Sequence, residues 1–372
     1  MEPKISSITE EGNQYKFTLS GLNVSLANAL RRTMLSEIPC NVFRTENYQD
    51  NQCTFIKNTS RLHNEILKQR LSCIPIHMKL NELNILPNNY LLEVDVKNDT
   101  ESMMYVTTEH FKIRFKNDSK TDKYLSREET MKIFPPNKKT NYYIDFARLQ
   151  PKISDTIPGE ELKFTAEFSI SNAKTNSMFN VVSSCAYGNT VDKERVEEEW
   201  TKRNEKLVKA DMSKSDIEFQ KRNFYLLDAQ RYFVENSFDF VVESVGIYEN
   251  KEIVKMAAKI LVEKMEKFIN EIDSSLVKIL NSETTMPYSY DIYLEDEDYT
   301  MGKSLEYFLY SKYYEDEKLL SFCGFKKFHP HDTHSVIRIA FNENADKSMA
   351  QQCLHTASND ARNVFKKLYD IV

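Results

Sequence analysis

Glycine is scarce in this chain of 372 residues: there are seven, at positions 12, 21, 159, 188, 246, 302 and 324. No two lie close together, whereas a Walker loop, a dinucleotide fingerprint or a kinase glycine loop needs clustered glycines so that backbone N–H groups can reach phosphate. All three are excluded. Cysteine is also uninformative as a framework. The six thiols, Cys40, Cys53, Cys73, Cys185, Cys323 and Cys353, contain no CxxC pair, and the polar stretch Met1–Tyr15 is no secretory leader, so no disulfide scaffold is expected. No apolar run reaches the roughly 18 residues that cross a bilayer, so no membrane association is expected. A basic excess is lacking too: 50 Lys and Arg face 56 Asp and Glu, a net charge of −6, which argues against a protein that coats nucleic acid. What remains reads as a reducing, intracellular, soluble chain. Its 41% hydrophobic content suits a globular protein, and its length suits two or three domains.

The first recognisable elements are a strand at Tyr15–Leu19 and a helix signal from Asn23 to Pro39. Ser25 can cap that helix, Leu26, Ala29, Leu30, Thr33 and Met34 form one stripe, and Pro39 stops it. A short helix follows at Asn64–Leu71. Alternation over Tyr90–Phe115 and Glu161–Ile170, punctuated by Pro135, Pro136, Pro151 and Pro158, predicts a strand-rich domain. Lys193–Arg222 mixes nine basic with eight acidic residues and reads as a solvated helix pair. A strand at Phe238–Val245 leads into a long helix whose apolar positions, Val254, Ala258, Leu261, Met265, Phe268 and Ile272, make a heptad-like seam that wants a helical partner. The last segment reads as strand, helix, two strands, and a final helix with its own seam at Cys353, Ala357, Ala361, Val364, Leu368 and Ile371.

An internal echo links the two ends. Ser25-Leu-Ala-Asn-Ala-Leu30 matches Thr300-Met-Gly-Lys-Ser-Leu305 in the order hydroxyl, large apolar, small, polar, small, leucine. Each copy follows a strand and is associated with a later seamed helix, so two like half-domains are expected to pack on each other.

No set of residues resembles a self-sufficient active site. His329, His331, His334 and Asp332 fit a turn between strands better than a zinc site. The run Glu295–Asp298 suits a helix N-terminus, where acidic charge meets the positive dipole end. His63 and Glu65 sit on a solvated helix beside Arg61 and Arg70. Cys40 and Cys73 are expected as small apolar core residues. No catalytic residue, metal or cofactor is expected.

With Asn28-Ala-Leu-Arg-Arg32 and Ile38-Pro39 in view, the chain resembles the alpha-like subunits of multisubunit RNA polymerases. Ser25–Pro39, Arg61–Ile76 and Phe240–Gly246 are similar to the third-largest subunit of RNA polymerase II and to its archaeal counterpart. Glu297–Gly302, Ser321–Lys326, His329-Pro330 and Ile337–Ile339 are similar to the small partner of that subunit in both kinds of polymerase. One chain carrying both resembles a natural fusion of the kind found in polymerases of large DNA viruses. The zinc loop common in the cellular third-largest subunit has no cysteines here. Tyr299 and Lys303 also depart from the small-subunit motif.

The resemblance implies an α+β fold in which two alpha-type dimerisation half-domains, each of antiparallel sheet plus long helices, form an intrachain pseudo-dimer with a strand-rich insert. The expected partition is 1–45 with 238–282, an insert at 46–237 that includes the charged helices, a linker at 283–289, and a small-subunit-like half at 290–372. Dimerisation is assigned to Val254, Ala258, Leu261, Met265, Ala361, Val364 and Leu368. Asn28, Arg31 and Arg32 are assigned to the second-largest polymerase subunit, and Thr300, Gly302 and Lys303 to the largest. The implied role is a non-catalytic assembly platform in transcription. Small assembly subunits would be further partners, DNA would be met only through the complex, and no homo-oligomer is expected. Its place would be a viral factory in the host cytoplasm or a virion, otherwise the nucleus. A metal-dependent nuclease and a scaffold unrelated to transcription are the alternatives.

Overall fold

The computed structural model describes residues 1–116, 123–154, 156–283 and 286–372. Of the expected linker 283–289, residues 284 and 285 fall outside the described residues. The chain divides into two compact units: 1–34, 184–243 and 250–372 form the first, and 35–183 with 244–249 the second.

The chain begins in the first unit with strands β1 (Lys4–Glu11) and β2 (Gln14–Ser20), then helix α1 (Val24–Ser36). The cap of α1 is two residues earlier than Ser25: Asn23 Oδ1 accepts the Ser25 N–H at 2.9 Å. A side-chain carbonyl can satisfy an orphan N–H of the first turn as well as a hydroxyl can. The whole predicted stripe of α1 is buried.

Through the second unit run β3 (Cys40–Val42), β4 (Cys53–Asn58), α2 (Asn64–Ser72), α3 (Ile85–Asn89), β5 (Tyr90–Lys97), β6 (Met104–Thr107), β7 (Lys112–Phe115), α4 (Arg127–Ile133), β8 (Asp145–Leu149), β9 (Glu161–Glu167) and β10 (Ser169–Ser171). A four-stranded sheet is ordered β4-β9-β5-β7, β6 pairs with β8, and β3 pairs with β10. Period-2 alternation puts Leu162, Phe164 and Ala166 inside, because successive strand side chains face opposite sides. Phe111 meets Phe146 edge-on at 5.7 Å in this core, and Leu67 and Leu71 of α2 are fully buried in it. Cys73, expected in the core, is exposed instead. It is the C-cap of α2, one residue past the last inward turn.

The chain then follows β11 (Val182–Val191), α5 (Lys193–Lys209), α6 (Lys214–Asn223), β12 (Phe233–Ser244), α7 (Asn250–Asp273), β13 (Ile279–Asn281), β14 (Ser289–Glu295), α8 (Tyr299–Leu309), β15 (Leu320–Lys326), β16 (His334–Phe341) and α9 (Lys347–Ile371). Two four-stranded sheets result, ordered β1-β2-β12-β11 and β13-β14-β16-β15. The two orders are the same construction: an outer and an inner strand, a helix, then an outer and an inner strand and a long helix. In the first sheet Phe17 pairs with Phe240 across β2 and β12, their rings stacked 5.0 Å apart. In the second, Ile292 pairs with Ile337.

The division differs from the sequence reading at three places. Residues 35–45 and 244–249, expected in the first half-domain, belong to the second unit, and 184–237, expected in the insert, belong to the first. The reason for the last is β11: it lies beside β12 in the first sheet, and the helices α5 and α6 hang between these two neighbouring strands.

Helices α7 and α9 pack along each other within the first unit. Gln351 Nε2 donates to the Ile272 carbonyl at 2.7 Å, while Lys255 lies over the Tyr369 ring at 5.1 Å. The end of one helix therefore meets the start of the other, so they run antiparallel. Every seam position of α7 from Val254 to Ile272 is buried, as are Cys353, Ala357, Ala361, Val364 and Leu368 of α9.

Candidate functional site

Helix α1 places Arg31 and Arg32 next to each other, so the two side chains must diverge. Arg31 Nε donates to Asn28 Oδ1 at 3.0 Å, one turn back on the same half-exposed face. Its charge reaches β11, where it offsets part of the burial that pushes the Cys185 thiol up to about 12. Arg32 turns the other way, to the start of α8. Its Nη2 bonds Asp298 Oδ2 at 2.5 Å and its Nε donates to Thr300 Oγ1 at 2.8 Å.

The same three residues close a small circuit. Asp298 is the N-cap of α8, with Oδ1 accepting the Thr300 N–H at 2.8 Å. Burial pushes its carboxyl up, but the Thr300 backbone and hydroxyl and the Arg32 guanidinium outweigh that and hold it below the ordinary carboxylate value. Hydrogen bonds and a cation that favour the charged form are the cause. Beside it, Lys264 Nζ of α7 sits 2.8 Å from Glu297 Oε2, both with little exposure.

The acidic run Glu295–Asp298 therefore reaches back to α1 and α7 of the same unit. The resemblance assigns Arg32 and Thr300 to two different partners, and the structure brings them together. Asp298, Glu297 and Lys264 were missed as contacts. The sequence signal for Asp298 was its place in an acidic run expected at a helix N-terminus, two residues before Thr300, and it is the cap of α8.

Of the other small-subunit residues, Thr300 is 3% exposed. Gly302 is buried with its Cα so close to the Phe325 ring that a Cβ would stand 1.9 Å from Cε2, a gap only glycine fits. Lys303 alone of that trio presents surface, paired with Glu306 at 2.5 Å.

The remaining candidates resolve locally. The His329 N–H bonds Asp332 Oδ2 at 2.9 Å and the His331 N–H bonds His329 Nδ1 at 3.2 Å, so this stretch is a turn between β15 and β16. Among the described residues no three His, Cys, Asp or Glu side chains converge as a metal site. His63 and Glu65, 2.7 Å apart, are solvent-exposed. Burial pushes the thiols of Cys40, Cys53 and Cys323 up to about 12 and that of Cys353 to about 11, which leaves them protonated and non-nucleophilic at neutral pH. Among the described residues no helix is long and apolar enough to cross a membrane.

Residues 16–265 match the family described as the RNA polymerase Rpb3/Rpb11 dimerisation domain. This chain belongs to that family. The match runs from within β2 to within α7, and so takes in the arginine-bearing helix, the second unit and most of the α7 seam. Among curated proteins, the DNA-directed RNA polymerase subunit Rpo3 of Thermococcus kodakarensis is 26% identical over 279 residues, covering 69% of this chain and 93% of that protein. Rpo3 of Pyrococcus furiosus is 25% identical over 287 residues, covering 72% and 97%. The DNA-directed RNA polymerases I and III subunit rpac1 of Dictyostelium discoideum is 38% identical over 86 residues, 23% of each chain; against that relative the chain spans under a quarter of its length.

Proposed function

We propose that the chain is a non-catalytic assembly subunit of a DNA-directed RNA polymerase that carries both alpha-like halves on one polypeptide, as an intrachain pseudo-dimer. The observation that carries this reading is the repeated strand order of the two sheets of the first unit, with α7 antiparallel on α9. The surface that a half-domain of this family offers to a separate partner is here covered by the chain's own C-terminal half. The dimerisation contact is Val254, Ala258, Leu261 and Met265 of α7 against Ala361, Val364 and Leu368 of α9.

On this reading Asn28 and Arg31, half-exposed on α1, take the second-largest polymerase subunit, with the arginine fork suited to carboxylate or carbonyl oxygens. Lys303 is the residue of α8 left to meet the largest. Small assembly subunits join through the second unit, and DNA is met only through the complex. The fused arrangement points to a polymerase of a large DNA virus acting in the host cytoplasm. A nuclease is disfavoured by the geometry of His329–His334, where Asp332 Oδ2 and His329 Nδ1 already accept backbone N–H groups within one turn.

The test is affinity purification of the tagged full chain from its native source, with partners identified by mass. Recovery of the two largest polymerase subunits, reduced by Arg31→Ala with Asn28→Ala, supports the reading. Copurification without either large subunit, or metal-dependent nucleotide turnover by the isolated chain, overturns it.

A further inference from the structure

The helical seam of the first unit does not by itself choose a partner. Both long helices carry small buried residues ahead of large ones over most of the seam. In α7, Ala257 and Ala258, themselves preceded by Ile253, Val254 and Met256, come before Met265, Phe268 and Ile272. In α9, Ala350, Ala357 and Ala361, interrupted by Leu354, come before Val364, Phe365 and Leu368. Antiparallel packing sets large against small, since the contacts at Ile272–Gln351 and Lys255–Tyr369 put Phe268 level with Ala357 and Ala258 level with Phe365. The same gradient would let α7 meet the α7 of a second copy, or α9 a second α9. Volume-matched apolar packing tolerates such exchanges. A chain with two like halves needs a further device to reject like-with-like pairing.

We propose that the Arg32–Asp298–Thr300 circuit and the Lys264–Glu297 pair are that device: a polar key that admits the first half against the second half and rejects a second copy of the chain. The inference rests on the pseudo-dimer reading above. The key is asymmetric. Along the echo between 25–30 and 300–305, the position of Asp298 is held in the first half by Asn23, that of Glu297 by Leu22, and that of Arg32 in the second half by Tyr307. Pairing of two first halves would set Arg32 against Asn23 and Lys264 against Leu22, which is buried at 1% exposure. Pairing of two second halves would set Asp298 against Tyr307. Each loses a contact, the guanidinium–carboxylate one about a third exposed and the ammonium–carboxylate one more enclosed, and charge complementarity of this kind fixes register and disfavours wrong partners. In the observed pairing, Arg32 spends both its Nε and Nη2 on the cap of α8, so the key also holds the first turn of that helix.

The experiment is sedimentation velocity on the full-length chain across a concentration series, with native mass spectrometry as the second readout. Wild type is expected to be monomeric. Arg32→Glu with Lys264→Glu sets acid against acid inside the chain and is expected to form a homodimer, its dissociation constant at least about tenfold below any seen for wild type, a full decade in equilibrium constant. Adding Glu297→Lys and Asp298→Asn, the latter keeping a cap-competent side chain, is expected to restore the monomer. If the double variant does not fold, Arg32→Gln with Lys264→Gln should shift the distribution toward dimer to a smaller degree. Monomeric behaviour of whichever variant folds, or a dimer that the compensating substitutions do not reverse, overturns the key. A wild-type chain that is itself a dimer overturns the pseudo-dimer reading, a separate failure.

Discussion

Two helix pairs of the first unit, α7 with α9 and α5 with α6, are built from sequences of opposite character. Ten positions of α7 are buried, and they recur along the entire helix. By contrast α5 buries only Val196 and Trp200, and α6 buries none of its own residues. The α5–α6 pair is held by a small satellite cluster in which Trp200 packs on Phe224 at 5.6 Å. At its rim Arg203 Nη1 bonds Asp228 Oδ2 at 2.7 Å. One pair is therefore cemented into the sheets it covers, while the other is a solvated appendage with its own minute core. The difference shows that helix length and charge say little about what a helix holds together. The number of consecutive inward positions does.

The largest test of that contrast is Leu261→Asp. It puts a charge at a fully enclosed point of the α7–α9 seam, and upwards of about 4 kcal/mol of stability should be lost. Thermal unfolding followed by circular dichroism should show the whole first unit melting early, and a variant with wild-type stability would break the comparison. Trp200→Ala comes next. Removing a large buried side chain costs about 3–5 kcal/mol where the structure depends on it, but here the loss should stay local. Amide exchange is expected to rise across 193–231 while α7 and α9 keep their protection.

The smallest effect lies at the cap of α8, beside the seam. Because the folded Asp298 carboxyl is held below its ordinary value, its contribution is complete above the unfolded pKa of about 4 and is lost as the pH falls through the depressed folded value. For a pair that is about a third exposed, the contribution is at most about 1 kcal/mol. The stability difference between wild type and Asp298→Asn should therefore be present at neutral pH and fade as the pH falls below about 4 and through the depressed folded value. A difference independent of pH would remove the carboxylate from the account.

What could be read from the sequence follows the range of the forces involved. Period-2 and heptad patterns report on burial a few residues apart, and they predict β2, β9, α7 and α9 from the residues alone. The solvated helix pair at 193–222 also shows in its balanced charge. The cap of α1 was displaced because Asn23 and Ser25 both satisfy the same local chemistry, and only backbone geometry decides between them. The exposure of Cys73 depends on where the last inward turn of α2 ends, and the allegiance of 184–237 on which strand lies beside which, information a linear pattern does not hold. The contact between Arg32 and Asp298 joins positions 266 residues apart. Neither residue has a local feature that names the other, so the site was legible as two motifs and illegible as one.

The discontinuity of the first unit has a consequence for the order in which the protein is made. The Thr18 hydroxyl bonds Asp239 across a separation of 221 residues, so β2 leaves the ribosome long before its neighbour β12 exists. At about 5–20 residues per second, the N-terminal hairpin and α1 wait roughly 10–45 seconds with an apolar face uncovered. The stretch 35–183, by contrast, holds most of its own contacts and can close while translation continues. The N-terminal hairpin and α1 are thus the part of the nascent chain that a chaperone has most reason to shield, and slow codons before residue 244 would lengthen their exposure.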